Sequence, residues 1–285
     1  MKKNNQIIEV DIRYKTKQEV MFMWKWEAEE KPKAVIVIVH SAYEHHRRYA
    51  WLIEKFRSSN CHIVMGDLPG HGEQTRGKKI HNESFEQYKE YITLALQVAV
   101  TYNLPIFILG HGLGATLLIK VLHKLQIEYA GVILTSPWLQ LKKQPSKWTN
   151  ALAKLPVQQK INHDIQLKEL TRNYDIYQQF IDDATYHTIV SNDWYIELQL
   201  LMKSILQSTE SVPNVPVLLM TAERDKIADI TSTAAWFKKQ DLSEYQYKSW
   251  KNCFHDLHQE PEREEIFEYS HAFINNVLRS IGYIV

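Results

Sequence analysis

Cysteine is scarce. The 285 residues hold two, Cys61 and Cys253, which excludes a disulfide framework and fits a reducing compartment. An excess of one charge is also missing: 34 Lys and Arg face 33 Asp and Glu, a net charge of +1. That balance gives no basic footprint and argues against a nucleic-acid partner. No apolar run approaches the roughly 20 residues that span a bilayer. The opening Met1-Lys2-Lys3-Asn4-Asn5-Gln6 carries charge without the apolar stretch of a signal peptide behind it. The expectation is a cytoplasmic protein with at most peripheral membrane contact. Internal repeats and low-complexity segments are absent too. What is present is an ordinary globular composition, 45% hydrophobic and 24% charged, long enough for one large α/β core with an insertion.

Residues 6–13 and 19–27 alternate apolar and polar, which predicts an antiparallel hairpin at a sheet edge. Ala34-Val35-Ile36-Val37-Ile38-Val39 is continuously apolar and β-branched, as a strand buried on both faces should be. Segments 61–66, 105–109, 131–135 and 216–220 share that character, and a further strand is expected near 245–250. Helical patterns fall between them at about 47–59, 84–102, 113–125, 230–239 and 262–279. Strands alternating with helices predict an α/β fold, a mostly parallel sheet with helices on both faces. Residues 138–211 break the rhythm and read as an inserted helical cap without a core of its own. Residues 1–137 and 212–285 then form the main body; two plain surface helices are the alternative for the insertion.

Ligands of open α/β sheets bind beyond the carboxyl ends of the strands, so the residues just after each strand matter most. Gly110-His111-Gly112-Leu113-Gly114 directly follows Pro105–Leu109. A buried strand feeding Gly-x-Ser-x-Gly is the nucleophile elbow of α/β-hydrolases, which holds its serine on a strained strand-to-helix turn. Here the elbow is intact and the hydroxyl is missing. The other strand ends carry His40-Ser41-Ala42-Tyr43-Glu44-His45, then Asp67 through Gly72, then Asp225, then His255.

In these segments the chain resembles the monoacylglycerol lipase and bacterial lysophospholipase group of α/β-hydrolases, also classified as serine aminopeptidase-like. The resemblance runs from about residue 10 to the C-terminus, in the order elbow, acid, histidine. It implies the α/β-hydrolase fold with an inserted helical cap, and carboxylic ester hydrolysis of a single-chain lipid or binding of an acyl ligand. No metal or organic cofactor is implied. Asp225 matches the triad acid and His255 the base, whose tautomer the acid fixes. The backbone N–H groups of Ala42 and Leu113 match the oxyanion hole. The nucleophile position falls on Gly112.

Other polar residues read as structural. Asp229 is the rival acid and suits a helix cap. His111 packs under the elbow. His45, His46, His71 and His258 fit no metal-ligand spacing and are assigned to loop hydrogen bonds. Glu44 and Arg47 are expected on the surface or facing the cap, and Cys253 is expected to be an inert buried thiol.

There are two departures from the family pattern, because the oxyanion strand normally ends His-Gly and here ends His40-Ser41. Four explanations stay open. The pocket is kept for binding alone; or His255 activates a water; or the hydroxyl has moved to Ser41, a possible substitute nucleophile on the neighbouring strand about 4.8 Å away; or Gly112 is an engineered inactivation. The functional readings are a lysophospholipase-like ester hydrolase, a catalytically silent binder of a lipid or protein partner, and a peptidase, which ranks last because no acidic cluster is placed to capture an amine. Trp138, Trp148 and Trp194 are available to shelter an acyl chain or to form the cap's core.

Overall fold

The computed structural model describes residues 5–14, 17–75, 77–143 and 160–284. An eight-stranded sheet runs through the molecule in the order β1-β2-β4-β3-β5-β6-β9-β10. β1 (Asn5–Tyr14) and β2 (Lys17–Trp26) form the expected antiparallel hairpin, with β1 at the edge. β3 (Ala34–Val39), β4 (Cys61–Gly66), β5 (Ile106–His111), β6 (Gly131–Thr135), β9 (Val217–Ala222) and β10 (Tyr245–Trp250) are mutually parallel.

The unbroken apolarity of β3 follows from its place near the middle of the sheet. Val35, Val37 and Val39 point into one hydrophobic cluster, while Ala34, Ile36 and Ile38 point into another on the opposite face. Each buried Val or Ile contributes about 1.5–3 kcal/mol by leaving water. Helices cover both faces. α1 (Ala50–Ser58), α2 (Phe85–Val100) and α3 (Leu113–Leu122) lie between the early strands. α2 starts on a capping box in which Ser84 and Gln87 satisfy each other's backbone N–H groups.

The insertion between β6 and β9 is not purely helical. α4 (Leu167–Leu170), α5 (Tyr174–Phe180) and α6 (Asn192–Leu206) are joined by a two-stranded ribbon of β7 (Lys160–Asn162) and β8 (Ile189–Ser191). Short runs such as Ile189-Val190-Ser191 are too brief to announce themselves as strands by periodicity. Ile161, Val190, Trp194, Leu198 and Ile205 share one cluster with Val35, Val37 and Leu113, so the segment packs on the main core. Trp148 lies outside the described residues.

α7 (Ile230–Phe237) and α8 (Arg263–Ser280) complete the fold. α8 buries Ile266, Phe267, Ser270, Phe273, Ile274, Val277 and Leu278, the stripe of an amphipathic helix laid on the sheet. Among the described residues no helix is long and apolar enough to cross a membrane.

Candidate active site

The parallel register brings the decisive residues together. β3 and β5 pair Val39 with Gly110. The same count two residues further along sets Ser41 against Gly112. Gly112 turns the chain from β5 into α3 with φ 51° and ψ −118°, a left-handed conformation that glycine takes without the penalty of a Cβ. Its N–H donates to the Thr135 carbonyl at 2.9 Å, which anchors the elbow on β6. Gly114 is required by close approach: a Cβ there would run into the carbonyl oxygens of Val39 and His40.

Across the elbow stand the predicted acid and base. His255 Nδ1 and Asp225 Oδ2 are 2.7 Å apart, and both residues are buried. The other Asp225 oxygen accepts from the N–H groups of Ile227 at 2.7 Å and Ala228 at 2.9 Å. The carboxylate is thus oriented on both sides, and it leaves the Nδ1 proton of His255 nowhere else to go. His255 Nε2 lies 3.2 Å from where a Cβ of residue 112 would stand. Asp229, by contrast, caps α7 through the N–H groups of Thr231 and Ser232.

Two further bonds close the centre. The indole N–H of Trp138 donates to His255 Nε2 at 3.0 Å, and the Trp138 N–H is tied to the Gly112 carbonyl at 3.3 Å. The Leu113 N–H, one of the two predicted oxyanion donors, donates to Ser41 Oγ at 3.2 Å. Ser41 also occupies the space a side chain at 112 would need: its Cβ is 2.7 Å from that Cβ position, and its Oγ is closer still. Ala42, which bears the other predicted donor, is buried beside it.

Glu44 corrects the surface expectation. It is only 2% exposed and accepts from the Ser41 N–H at 3.1 Å and the Tyr49 hydroxyl at 2.8 Å. Burial, reinforced by the neighbouring Asp256 carboxylate, pushes its pKa up. Arg48 bridges the two acids, with Nη2 at 2.9 Å from Asp256 and Nε at 3.5 Å from Glu44. Asp256 Oδ1 lies 3.0 Å from His111 Nε2. Burial favours protonation of Asp256, but the His111 bond and the Arg48 charge outweigh it and lower its pKa. His111 sits under the elbow as expected, and burial of its ring is outweighed by the bond to Asp256, so its pKa rises. An ionic ladder of Glu44, Arg48, Asp256 and His111 therefore underpins the loop that carries Ser41. The sequence signals for Arg48 and Asp256 lie only in their places beside Glu44 and His255; nothing in the spacing predicts that they meet.

The remaining histidines divide. His45 meets Asp183 at 2.7 Å, His46 meets Asp67 at 2.9 Å, and His71 bonds the Pro69 carbonyl at 3.0 Å, as loop residues should. His258 does not follow that expectation: it is buried, and among the described residues neither ring nitrogen has a hydrogen-bond partner. Arg47 is exposed and pairs with Glu73. Burial pushes the Cys253 thiol up to about 12, as an inert thiol requires.

Among the described residues, two clusters bring potential metal ligands together. In the first, His111, His255 and Asp256 are already engaged with one another, Asp225 and Trp138. In the second, Cys253 donates to Glu262, and Glu260 and Glu262 both pair with the Arg172 guanidinium, which supplies the positive charge.

Above the elbow, Tyr43 fills the space under the insertion. It is buried, takes φ 70°, and bonds His163 Nδ1 at 2.6 Å. Its ring centroid is 6.1 Å from both Trp138 and Trp194. These aromatics are packed into the hydrophobic core. A cleft of about 540 Å³ between residues 206–211 and α7 shares no residue with this centre.

A mostly parallel sheet carrying an elbow between β5 and α3, with an acid after β9 and a histidine after β10, defines an α/β-hydrolase. Comparison with known proteins agrees. The family described as serine aminopeptidase, S33, matches residues 30–262, and the chain belongs to it. It is 37% identical to phospholipase YtpA of Bacillus subtilis over 90% of this chain and 100% of that protein. It is 23% identical to the monoglyceride lipase of Rattus norvegicus, over 84% of this chain and 81% of the other. The crystal structure of Paleococcus ferrophilus monoacylglycerol lipase shares the fold with a TM-score of 0.77 at 23% identity, covering 90% of this chain and 99% of that one.

Proposed function

We propose that this chain is directed at the carboxylic ester of a single-chain lipid, with Asp225 as the acid and His255 as the base. Residues 138–211 act as the cap over that site. The observation that carries the reading is the oriented Asp225–His255 pair, whose second ring nitrogen lies beside the elbow. The substrate class rests on relatives named as a phospholipase and a monoglyceride lipase. Gly112 carries no nucleophile, so no acyl-enzyme forms at that position. The buried free thiols of Cys61 and Cys253 support a reducing, cytoplasmic location.

The test is hydrolysis of lysophosphatidylcholine and monoacylglycerol by the wild type and by His255→Ala. Slow turnover that disappears in the variant supports the reading. Turnover that survives the variant refutes it. The second reading, a catalytically silent binder of a lipid or protein partner, is favoured by the Trp138 and Ser41 bonds that close the centre. It predicts that the wild type binds these lipids or an acyl ligand and turns over none of them.

A further inference from the structure

The altered residues at 41 and 112 are one change. A serine at 112 needs room for its Cβ, and Ser41 Cβ stands 2.7 Å from that place. Rotating the Ser41 hydroxyl away does not clear it, because the obstructing atom is attached directly to the backbone. Conversely, a glycine at 112 leaves the volume that Ser41 fills. A serine at one of the two positions therefore demands a glycine at the other.

We infer that the nucleophile has been transposed from the elbow to Ser41. The inference rests on the acid–base reading of Asp225 and His255. Three observations carry it. Ser41 Oγ and His255 Nε2 both crowd the point where the Cβ of residue 112 would be. The hydroxyl accepts from the Leu113 N–H at 3.2 Å, so it already stands at one of the two predicted oxyanion donors. Those donors are indifferent to the exchange: Ala42 follows residue 41 and Leu113 follows residue 112. Whichever position bears the serine, one donor belongs to the residue after the nucleophile and the other to the residue after its partner. Ser41 is also held rigidly, since its N–H is bonded to the buried Glu44.

The chemistry balances without a further reactant. Ser41 Oγ adds to the ester carbonyl carbon while its proton passes to His255 Nε2. The tetrahedral oxyanion rests on the Ala42 N–H and on the Leu113 N–H, which passes to it from Ser41 Oγ as that oxygen attacks. It collapses with cleavage of the bond to the alcohol, which takes the proton from His255. Water, deprotonated by His255, then adds to the acyl-Ser41 ester; the carboxylic acid is released as His255 returns the proton to Ser41 Oγ. The lone pair of His255 Nε2 is held by the Trp138 indole in the resting state, so the ring must turn from Trp138 before the first step.

The test labels the wild type with a fluorophosphonate and maps the adduct by peptide mass spectrometry. The expected result is an adduct on Ser41, absent in Ser41→Ala and reduced by about 100-fold or more in His255→Ala. The double exchange S41G/G112S should carry the adduct at position 112 instead. No adduct on the wild type overturns the transposition. If S41G/G112S is then labelled, the acid–base reading survives alone; if it folds and is not labelled, both fall. Ester turnover that is unchanged in Ser41→Ala also overturns the transposition.

Discussion

The indole N–H of Trp138 donates to Nε2 of His255, 3.0 Å away, and so occupies the lone pair that a base must offer. Trp138 is 1% exposed and its backbone is fixed by the Gly112 carbonyl and the Thr116 hydroxyl. Its side chain, which covers the His255 ring nitrogen, is therefore placed by the elbow.

Trp138→Phe removes that donor and keeps an aromatic ring in the core. Fluorophosphonate labelling and ester turnover are expected to rise several-fold, because the imidazole no longer gives up a neutral hydrogen bond of about 1 kcal/mol to become a base. Thermal stability should fall with the smaller side chain. A variant labelled no faster than the wild type would show that the indole bond does not restrain the base.

Asp225 and Asp229 are separable by experiment. Asp225→Asn disrupts the partner that fixes the His255 tautomer, and a loss of about 10⁴-fold in turnover is expected on the triad precedent. Asp229→Asn retains a residue that caps helices and should cost under about 1 kcal/mol with turnover unchanged. The comparison is made in whichever form turns over, the wild type or S41G/G112S. Equal losses for the two substitutions would remove the distinction drawn from the geometry.

The sheet was legible because both of its faces are buried: Val35–Val39 and Phe107–Leu109 could not be so continuously apolar in any half-exposed strand. Gly112, Asp225 and His255 were singled out because each follows a strand, where the fold puts its ligands, and the structure brings the three together. Glu44, Arg48, Asp256 and Trp138 were misjudged or missed because their roles depend on contacts across the sequence. Glu44 reads as surface until Arg48 and Tyr49 enclose it, and the approach of Arg48 to Asp256 joins residues 208 positions apart. The ribbon of Lys160–Asn162 and Ile189–Ser191 is too short to carry a period. The adjacency of Ser41 and Gly112 was foreseeable from neighbouring strands, but their mutual exclusion needed the register that pairs Val39 with Gly110.

Tyr43 packs against both Trp138 and Trp194, with ring centroids 6.1 Å from each. Tyr43→Gly relieves a left-handed φ that costs a tyrosine about 1 kcal/mol or more. It also empties an aromatic site whose loss costs about 3–5 kcal/mol. A net destabilisation of about 2–4 kcal/mol is expected, together with tighter binding of long-chain acyl ligands in the new cavity. Denaturant unfolding and a fluorescent fatty-acid displacement assay measure the two effects. Destabilisation without any gain in acyl binding would show that the aromatic cluster is core rather than a filled acyl pocket.

Acid should unfold this protein early. Burial lowers the pKa of His40 and His163 to about 4 and of His81 and His258 to about 3, and drives His71 well down. His81 stacks between His71 and His187, at centroid distances of 4.3 and 4.2 Å, so a proton on any of them meets another ring. The sign follows from the depressed native values. Above pH 6.5 these rings are neutral in both states and contribute no pH dependence. Below it the unfolded chain takes up protons that the native fold refuses, so stability falls until pH reaches the native values near 3–4. Each fully excluded proton costs about 1.4 kcal/mol per pH unit. The raised pKa of His111 acts in the opposite sense but is a single group, and burial of its ring limits it. The melting temperature should therefore drop steeply between pH 6.5 and pH 4.5, accompanied by uptake of several protons on unfolding. His81→Asn should flatten that slope by about one proton. A melting temperature constant across the interval would mean that these histidines gain solvent or partners that the closed packing does not provide.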